Sequence, residues 1–325
     1  MKKIRQLLIV FLCSLVSILA FGQPATAPKA STDTLQKATY QPVENSLLWA
    51  ISGKDLKDTS YLYGTIHLID KEDFFLTEAT KKAFNESEHV VFEINIEKMN
   101  DLMSQFGLLM KAFMNEGQTL KDFLSEEEYK EVKDHFAEKG ITDFLWNMME
   151  RIKPMFLTMF ASTDLTGENP MTSGEMVSYE MELLAKAQEQ EKPIDGLETA
   201  EYQMSMFDSI PYEAQAKMLI ESIRVDSVAS NELDQMVDLY KNQDINGMIS
   251  MFDEDTEGIG KYEDYLLINR NKNWIPVMSG MMTTQPTFFG VGAGHLAGEF
   301  GVVNLLKEAG YTLTPLKDKK VVRKL

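Results

Sequence analysis

The sequence predicts an α/β protein with two α/β halves, in which strands of a parallel type of sheet lie near the two ends of the chain and a large helical insertion separates them. Three observations predict this fold class. Apolar runs alternate with a helical pattern over residues 46–96. Amphipathic, Met-containing segments typical of helices fill most of residues 98–268. The alternation of helix and strand patterns then returns and continues to residue 316.

The first 22 residues have the composition of a secretory signal peptide. Three basic residues stand among the first five, residues 7–21 form an apolar run, and the small residues Ala20 and Gly22 occupy the positions that a signal peptidase reads. We expect cleavage after Gly22 and export to the periplasm or the extracellular space. An uncleaved membrane anchor is the alternative, but the apolar run is short for a bilayer span.

The rest of the chain is predicted to be one domain behind a linker. Residues 23–42 are rich in Pro, Ala and Thr and predict a flexible linker. The domain then covers residues 43–325, with the helical insertion at about 98–268. Cys13 is the only cysteine and lies in the predicted signal peptide, so the mature chain would have no disulfide and no thiol nucleophile.

Charge and hydropathy narrow the classes of partner. The formal net charge is −18, which argues against nucleic acid and anionic membrane surfaces. No second long apolar run follows the first, so we expect no integral membrane segment after signal cleavage. A peptide or small-molecule substrate remains, and the sequence does not indicate an oligomeric state.

The first α/β half begins with a predicted hairpin. Residues 46–53 and 59–69 are apolar runs separated by a turn rich in Gly, Lys and Asp. Residues 77–88 predict a helix and residues 89–96 a buried strand. This order predicts a parallel βαβ unit in which the strand of residues 89–96 lies next to the strand that ends near His67.

The middle and the second half continue the pattern. Ser125 begins a capping-box sequence, which predicts a helix start at that residue. The further predicted elements are, in order, a helix at 174–190, a strand at 192–198, a helix at 265–282, a strand and loop at 286–296, a helix at 298–310 and a final strand at 311–316.

Two of the four histidines share one local setting. His67 and His295 each stand three residues after a glycine, Gly64 and Gly292, where an apolar run ends. The carboxyl ends of parallel strands face the crevice where ligands bind, and glycine lets the backbone turn there. For either loop alone, a histidine bonded to a neighbouring carbonyl is the simpler interpretation, but two matching loops predict one shared site.

The other two histidines are predicted to lie outside this site. His89 begins a strand beside two glutamates, and we expect it to be solvated. His135 lies in a highly charged helix, and we expect it on the surface.

Glu93 is the carboxylate most indicative of function. It interrupts an otherwise apolar strand, where a carboxylate is costly to bury unless it is paired or binds a metal. With His67 and His295 it makes a two-histidine, one-carboxylate set of the kind that binds divalent metals and leaves positions open for water. The alternative needs no metal: one histidine acts as a general base on water and Glu93 orients it.

Three further charged residues are candidates. Arg270 stands among apolar residues of a predicted helix and could bind a substrate carboxylate or a developing oxyanion. Glu198 follows a predicted strand, and a purely structural ion pair between it and Arg270 is the alternative. Glu299 lies near the start of the helix after His295, where capping is the first explanation and support of His295 the second.

These residues together resemble the TraB/GumN family. The resemblance is carried by residues 62–68, 92–95, 196–203, 269–271 and 290–311 and spans about Ser46 to Leu316. That family includes Tiki-type metalloproteases and is related more distantly to erythromycin esterases and ChaN-type haem-binding proteins. The resemblance implies an α/β fold in which both histidine loops converge in one cleft. The likeness to the Tiki-type members also implies peptide hydrolysis supported by a divalent metal such as Mn or Co, with Zn as a further candidate.

Residue by residue, the resemblance extends to eight positions. Those that match the central motif of the family are Gly64, His67, Glu93, Gly292 and His295. Those that match its less well explained positions are Glu198, Gln203 and Arg270. The zincin signature His-Glu-x-x-His is absent from the sequence, so the expected protease activity depends on the resemblance.

The sequence therefore predicts an exported, metal-dependent hydrolase that cleaves a peptide or related acyl bond. His67, Glu93 and His295 would hold the metal, and Glu93, Glu198 and Arg270 would be catalytic. The alternative is a non-catalytic protein on the same fold that binds haem, a metal or a peptide.

Overall fold

The computed structural model describes residues 40–100, 102–161, 175–224, 229–254 and 259–317. The predicted signal peptide and most of the predicted linker lie outside these residues. No helix in the described ranges is long and apolar enough to cross a membrane.

A six-stranded sheet, most of whose strands are parallel, forms the centre of the molecule. Its order is β6-β4-β7-β2-β1-β8; the first four strands are parallel to one another, and β1 and β8 are antiparallel to their neighbours. A separate antiparallel pair is formed by β3 and β5. The strands are β1 Leu48–Ser52, β2 Ser60–Thr65, β3 Ile69–Asp70, β4 His89–Ile94, β5 Met176–Val177, β6 Ile194–Glu198, β7 Thr287–Gly292 and β8 Thr312–Pro315.

Helices surround the sheet and extend from it. They are α1 Glu78–Glu86, α2 Leu102–Lys111, α3 Glu126–Glu138, α4 Asp143–Met149, α5 Pro154–Ala161, α6 Tyr179–Glu189, α7 Ala200–Met206, α8 Tyr212–Arg224, α9 Ala229–Lys241, α10 Ile245–Glu254, α11 Asn269–Met282 and α12 Val302–Glu308. The mixed α/β class predicted from the sequence is confirmed.

The core has two parts, and the larger one contains side chains of both chain ends and of the middle region. All residues of β2, β4 and β7 are buried, as expected for central strands covered on both faces. A second, smaller cluster joins α3, α4, α5 and α8 around Phe136 and Trp146. The predicted middle region is not wholly separate, because β6, predicted as a strand at 192–198, joins the main sheet beside β4.

The predicted neighbour of the His67 strand is wrong. Strands β2 and β4 are parallel, as the βαβ order requires, but β7 lies between them. Tyr61 is paired with Phe288, and His89 is paired with Thr287. The helix between β2 and β4 makes these two strands parallel. It does not prevent a third apolar strand, which follows β4 by more than 190 residues in the chain, from pairing between them.

Helix starts follow the predicted capping chemistry in one case and depart from it in another. Ser125 and Glu128 form the predicted capping box of α3. Glu299 is not the cap of α12, because that helix begins at Val302 and its N-cap is Gly301. A Cβ at Gly301 would lie 2.1 Å from the Ala297 carbonyl oxygen, so only glycine fits this close turn.

Candidate active site

Four parallel strands end at the same edge of the sheet, and each brings a polar side chain to it. Strand β4 carries Glu93 next to its last residue, and β6 ends at Glu198. His67 lies two residues after β2, and His295 lies three residues after β7. The site therefore occupies the carboxyl edge, where α/β proteins bind their ligands.

The two histidine loops and Glu93 meet around Gly292. A Cβ at Gly292 would lie 3.2 Å from Glu93 Oε1, 3.6 Å from His295 Cδ2 and 3.9 Å from His67 Nε2. Because glycine has no Cβ, this position leaves a small space that all three side chains border. Their roles as ligands or catalytic groups stay predictions.

Glu93 is held as a buried carboxylate by three donors. Its Oε1 accepts the Gly292 backbone N–H at 2.8 Å, and its Oε2 accepts bonds from Arg270 Nη2 at 2.5 Å and Gln203 Nε2 at 3.0 Å. Burial alone would raise its pKa, but the positive charge of Arg270 and the nearby histidines hold the pKa well below its usual range. Glu93 is therefore ionised at neutral pH.

Arg270 joins two carboxylates in the interior. Its Nε and Nη2 donate to Glu198 Oε1 at 2.9 and 2.6 Å, in addition to the bond to Glu93. Trp274 Nε1 donates to the other Glu198 oxygen at 3.0 Å. Burial would lower the pKa of Arg270, but the two carboxylates raise it above its usual value. Burial raises the pKa of Glu198, and Arg270 only partly offsets this. The Arg270–Glu198 ion pair weighed from the sequence is present, and it extends to Glu93.

The helix that carries Arg270 has an unusual start. A π-helical turn, Asp264–Ile268, leads directly into α11. The carbonyl oxygen of Leu266 in this turn accepts a bond from Arg270 Nη1 at 3.1 Å. Such turns are frequent at functional sites. This one provides the hydrogen-bond acceptor for Nη1 of Arg270, whose Nε and Nη2 are bound by the two carboxylates.

His295 is a neutral imidazole in this arrangement. Its Nδ1 lies 2.6 Å from Asn271 Oδ1, which can only accept, so Nδ1 carries the proton. Nε2 then accepts a bond from Arg270 Nη1 at 3.2 Å and lies 3.7 Å from Glu93 Oε1. Burial, opposed by Glu93 and assisted by Arg270, lowers the pKa of His295 to about 3.

His67 has a different partner. Its Nδ1 lies 2.8 Å from Glu180 Oε1, an ion-pair distance whose angle falls outside hydrogen-bond geometry. Its Nε2 is buried and has no hydrogen-bond partner among the described residues. Burial would lower the pKa of His67, but the Glu180 carboxylate outweighs it, and the pKa is raised.

Sequence reasoning missed Glu180, Asn271 and Trp274. Glu180 shares the buried face of α6 with Leu183, Leu184 and Ala187. An acid at such a helical spacing is a signal that could have been found, because that face should be apolar. Asn271 lies in the segment 269–271 that carries the family resemblance, but no role was predicted for it, and for Trp274 the sequence carries no comparable signal.

The predictions for the remaining histidines need correction. His89 is buried, not solvated, because β4 is an interior strand with β6 on one side and β7 on the other. Its Nε2 lies 3.3 Å from Asp195 Oδ2, and burial lowers its pKa. His135 is half-buried, and its Nε2 lies 2.8 Å from the Ala161 carbonyl oxygen.

The predicted ligands, two imidazoles and a carboxylate, are of the types that bind a divalent metal, but Arg270 already occupies one of the imidazole nitrogens. In the ranges that the structure describes, no three His, Cys, Asp or Glu side chains stand ready-spaced as a metal site. Nε2 of His67, the Cδ2 edge of His295 and Oε1 of Glu93 nevertheless border one space, and each imidazole has its Nδ1 beside an oxygen acceptor, as metal-binding histidines do. Arg270 Nη1 now occupies the lone pair of His295 Nε2.

Comparison with known proteins identifies the family of the chain. The family model described as TraB/PrgY/gumN matches residues 47–315. The chain belongs to this family. The resemblance found in the sequence is thus confirmed, and the match includes all four strands that form the site.

The similar curated proteins are named as metalloproteases. The chain is 23% identical to the protein named metalloprotease TIKI2 of Danio rerio, over 91% of this chain and 66% of the relative. It is 25% identical to metalloprotease TIKI1 of the same organism, over 84% of this chain and 63% of the relative. It therefore spans slightly less than two thirds of the length of these two proteins. No solved structure matches the chain.

Proposed function

We propose that this protein is an exported, metal-dependent hydrolase that cleaves a peptide or related acyl bond at the carboxyl edge of its sheet. The names of the relatives support metalloprotease chemistry. The observation that carries the proposal in this chain is an imbalance of buried charge.

Three buried carboxylates face one buried cation at the site. The side chains of Glu93, Glu180 and Glu198 are at most 8% exposed, and that of Arg270 is 1% exposed. With His295 neutral, the site carries a formal charge of −2 while His67 is also neutral, and −1 when His67, whose pKa Glu180 raises, is protonated. An unbalanced buried charge is costly, and a divalent cation between Glu93 and the two histidines would remove the imbalance.

The residues would divide the work as follows. His67 Nε2, Glu93 Oε1 and His295 Nε2 would hold the metal, which when bound lowers the pKa of a water ligand and polarises a carbonyl. When the metal binds, Arg270 would lose its hydrogen bond to His295 and keep its bonds to Glu93 and Glu198. One N–H of its Nη1 still donates to the Leu266 carbonyl oxygen, and the other, released from His295, can bind the oxygen that becomes negative during acyl transfer.

Two more residues would act through their neighbours. Gln203 bonds to Glu93 Oε2 and so limits rotation of the carboxylate. Glu198 holds both the guanidinium of Arg270 and the indole of Trp274. Glu198 is thereby proposed to fix the donor that meets the substrate oxygen.

Metal analysis tests the proposal. The purified wild type is incubated with Mn, Co or Zn and compared with a His67→Ala/His295→Ala variant, with His135→Gln as the control histidine outside the site. We expect about one bound metal ion in the wild type and in the control, and none in the double variant. Incubation with a peptide library should give cleavage products only where metal is bound.

The outcomes separate the proposal from its alternatives. Neither metal nor cleavage in the wild type would contradict it. Bound metal with peptides left intact would indicate a binding protein. A visible haem absorption band that is lost in His67→Ala would indicate a haem protein on the same fold.

A further inference from the structure

Glu180 is a buried carboxylate that neither the fold class nor the family resemblance singled out. It lies in the first turn of α6 and is 5% exposed. Its Oε1 accepts the Thr65 hydroxyl at 2.6 Å and lies 2.8 Å from His67 Nδ1, and its Oε2 accepts the Ser178 hydroxyl at 3.1 Å. An acid from one helix thus reaches two residues at the end of β2, more than 110 positions earlier in the chain.

A helix-capping role does not explain this placement. The N-cap of α6 is Ser178, whose hydroxyl accepts the Met181 backbone N–H. Glu182 lies in the same first turn and is partly exposed, so it meets the helix dipole without burial. Glu180 is buried against His67, which capping does not require.

The other nitrogen of His67 points to a ligand. Nε2 is buried and unpartnered among the described residues, and it faces the space over Gly292. A buried polar atom without a partner is unfavourable, so a ligand at this position would remove that cost. A carboxylate beside Nδ1 keeps the proton there and leaves a lone pair on Nε2.

We propose that Glu180 is a positioning residue that holds the proton of His67 on Nδ1 and so keeps Nε2 available to a divalent cation. The inference rests on the proposed metal site for its consequence. Its first step, the tautomer of His67, can be measured in metal-free protein and stands apart from that site.

The tautomer is the first measurement. The chain has four histidines, so selective ¹⁵N labelling gives few signals, and a His67→Gln variant assigns the relevant pair. At a pH where the ring is neutral, the wild type should show His67 with its proton on Nδ1. In Glu180→Gln the amide can either accept or donate, and we expect a mixture of both tautomers.

Metal affinity is the second measurement. Glu180→Gln should bind Mn or Zn about 10–100-fold more weakly than the wild type by titration calorimetry, the usual effect of losing a carboxylate behind a metal-binding histidine. Glu180→Asp should keep the tautomer and lose less affinity. Glu182→Gln makes the same charge change two residues further along the helix and should leave the tautomer and the metal affinity unchanged.

Unaltered tautomer and affinity in Glu180→Gln, with only a lower unfolding temperature, would show that Glu180 is merely structural and overturn the inference. If Glu180→Gln does not fold, the wild type still decides: a neutral His67 with its proton on Nε2 would contradict the proposed role, and a proton on Nδ1 supports it. If the wild type binds no metal, the proposed function fails. The tautomer comparison then still decides whether Glu180 positions His67.

Discussion

The two Gly-x-x-His loops have the same spacing in sequence but opposite electrostatic surroundings in the fold. His67 stands beside a carboxylate, Glu180, and its pKa is raised. His295 stands beside a neutral amide, Asn271, and next to the cation Arg270, and its pKa is lowered to about 3. A repeated motif therefore places two imidazoles at one site, while residues from distant helices decide what each imidazole can do.

The largest effect on stability should come from removing the charge of Arg270, the cation that joins Glu93 and Glu198. Arg270→Met leaves Glu93 and Glu198 buried without a compensating charge, and the free energy of unfolding should fall by about 3–5 kcal/mol. Chemical denaturation measures this, with Lys272→Met on the exposed side of the same helix as the control. Saturating Mn should restore part of the loss, and an equal loss with and without metal would argue against a cation site beside Glu93.

The opposite pKa shifts predict opposite pH responses in metal-free protein. The unfolded imidazole titrates near 6.5, so between that pH and about 3 the unfolded chain binds a proton that folded His295 does not. Stability should therefore decrease as the pH falls through this range, by about 1.4 kcal/mol per pH unit for this one group. His295→Gln should show a shallower acid slope in denaturation curves, and identical slopes would contradict the depressed pKa.

For His67 the sign is reversed. Its folded pKa is raised, so its contribution to stability is fully present below the unfolded pKa. That contribution is lost as the pH rises through the folded pKa. His67→Gln should therefore narrow its stability deficit relative to the wild type as the pH increases from about 6.

Filling the space between the loops should change the stability less than the loss of Arg270 does, and should clearly weaken metal binding. Gly292→Ala places a methyl group 3.2 Å from Glu93 Oε1 and in contact with both histidines. We expect at least about tenfold weaker metal binding and only about 1 kcal/mol of destabilisation. Gly280→Ala, in α11 with open space around it, is the matched control and should stabilise by about 0.5–1 kcal/mol. Equal metal affinity in both variants would place the ligand elsewhere.

The smallest expected change comes from making the loops alike. Asn271→Asp gives His295 the kind of partner that His67 already has. The nearby carboxylate should raise the pKa of His295 by about one unit, because an opposite charge at hydrogen-bond distance favours the protonated form. A ¹⁵N-NMR titration of metal-free protein measures this shift, and a pKa that stays unchanged would show that the residue beside Nδ1 does not set its value.

Local interactions were readable from the sequence. Short apolar runs predicted the hairpin β1–β2 and the buried strand β4, and short segments between predicted helices predicted β6 and β7, because each signal lies within the segment itself. The capping box at Ser125 was predicted for the same reason, since it joins residues three positions apart. The cost of burying a carboxylate singled out Glu93, and the two glycine-histidine loops indicated the edge of the sheet where it lies.

The tertiary structure alone decided which of these parts meet. Three apolar strands are equally suited to the centre of a sheet, so nothing local shows that β7 separates β2 from β4 and brings Gly292 against Glu93. The same holds for Glu180 and Arg270, whose side chains cross from α6 and α11 to the site. Periodicity and capping act over a few residues, whereas strand order and the partners of buried charges depend on packing between segments far apart in the chain.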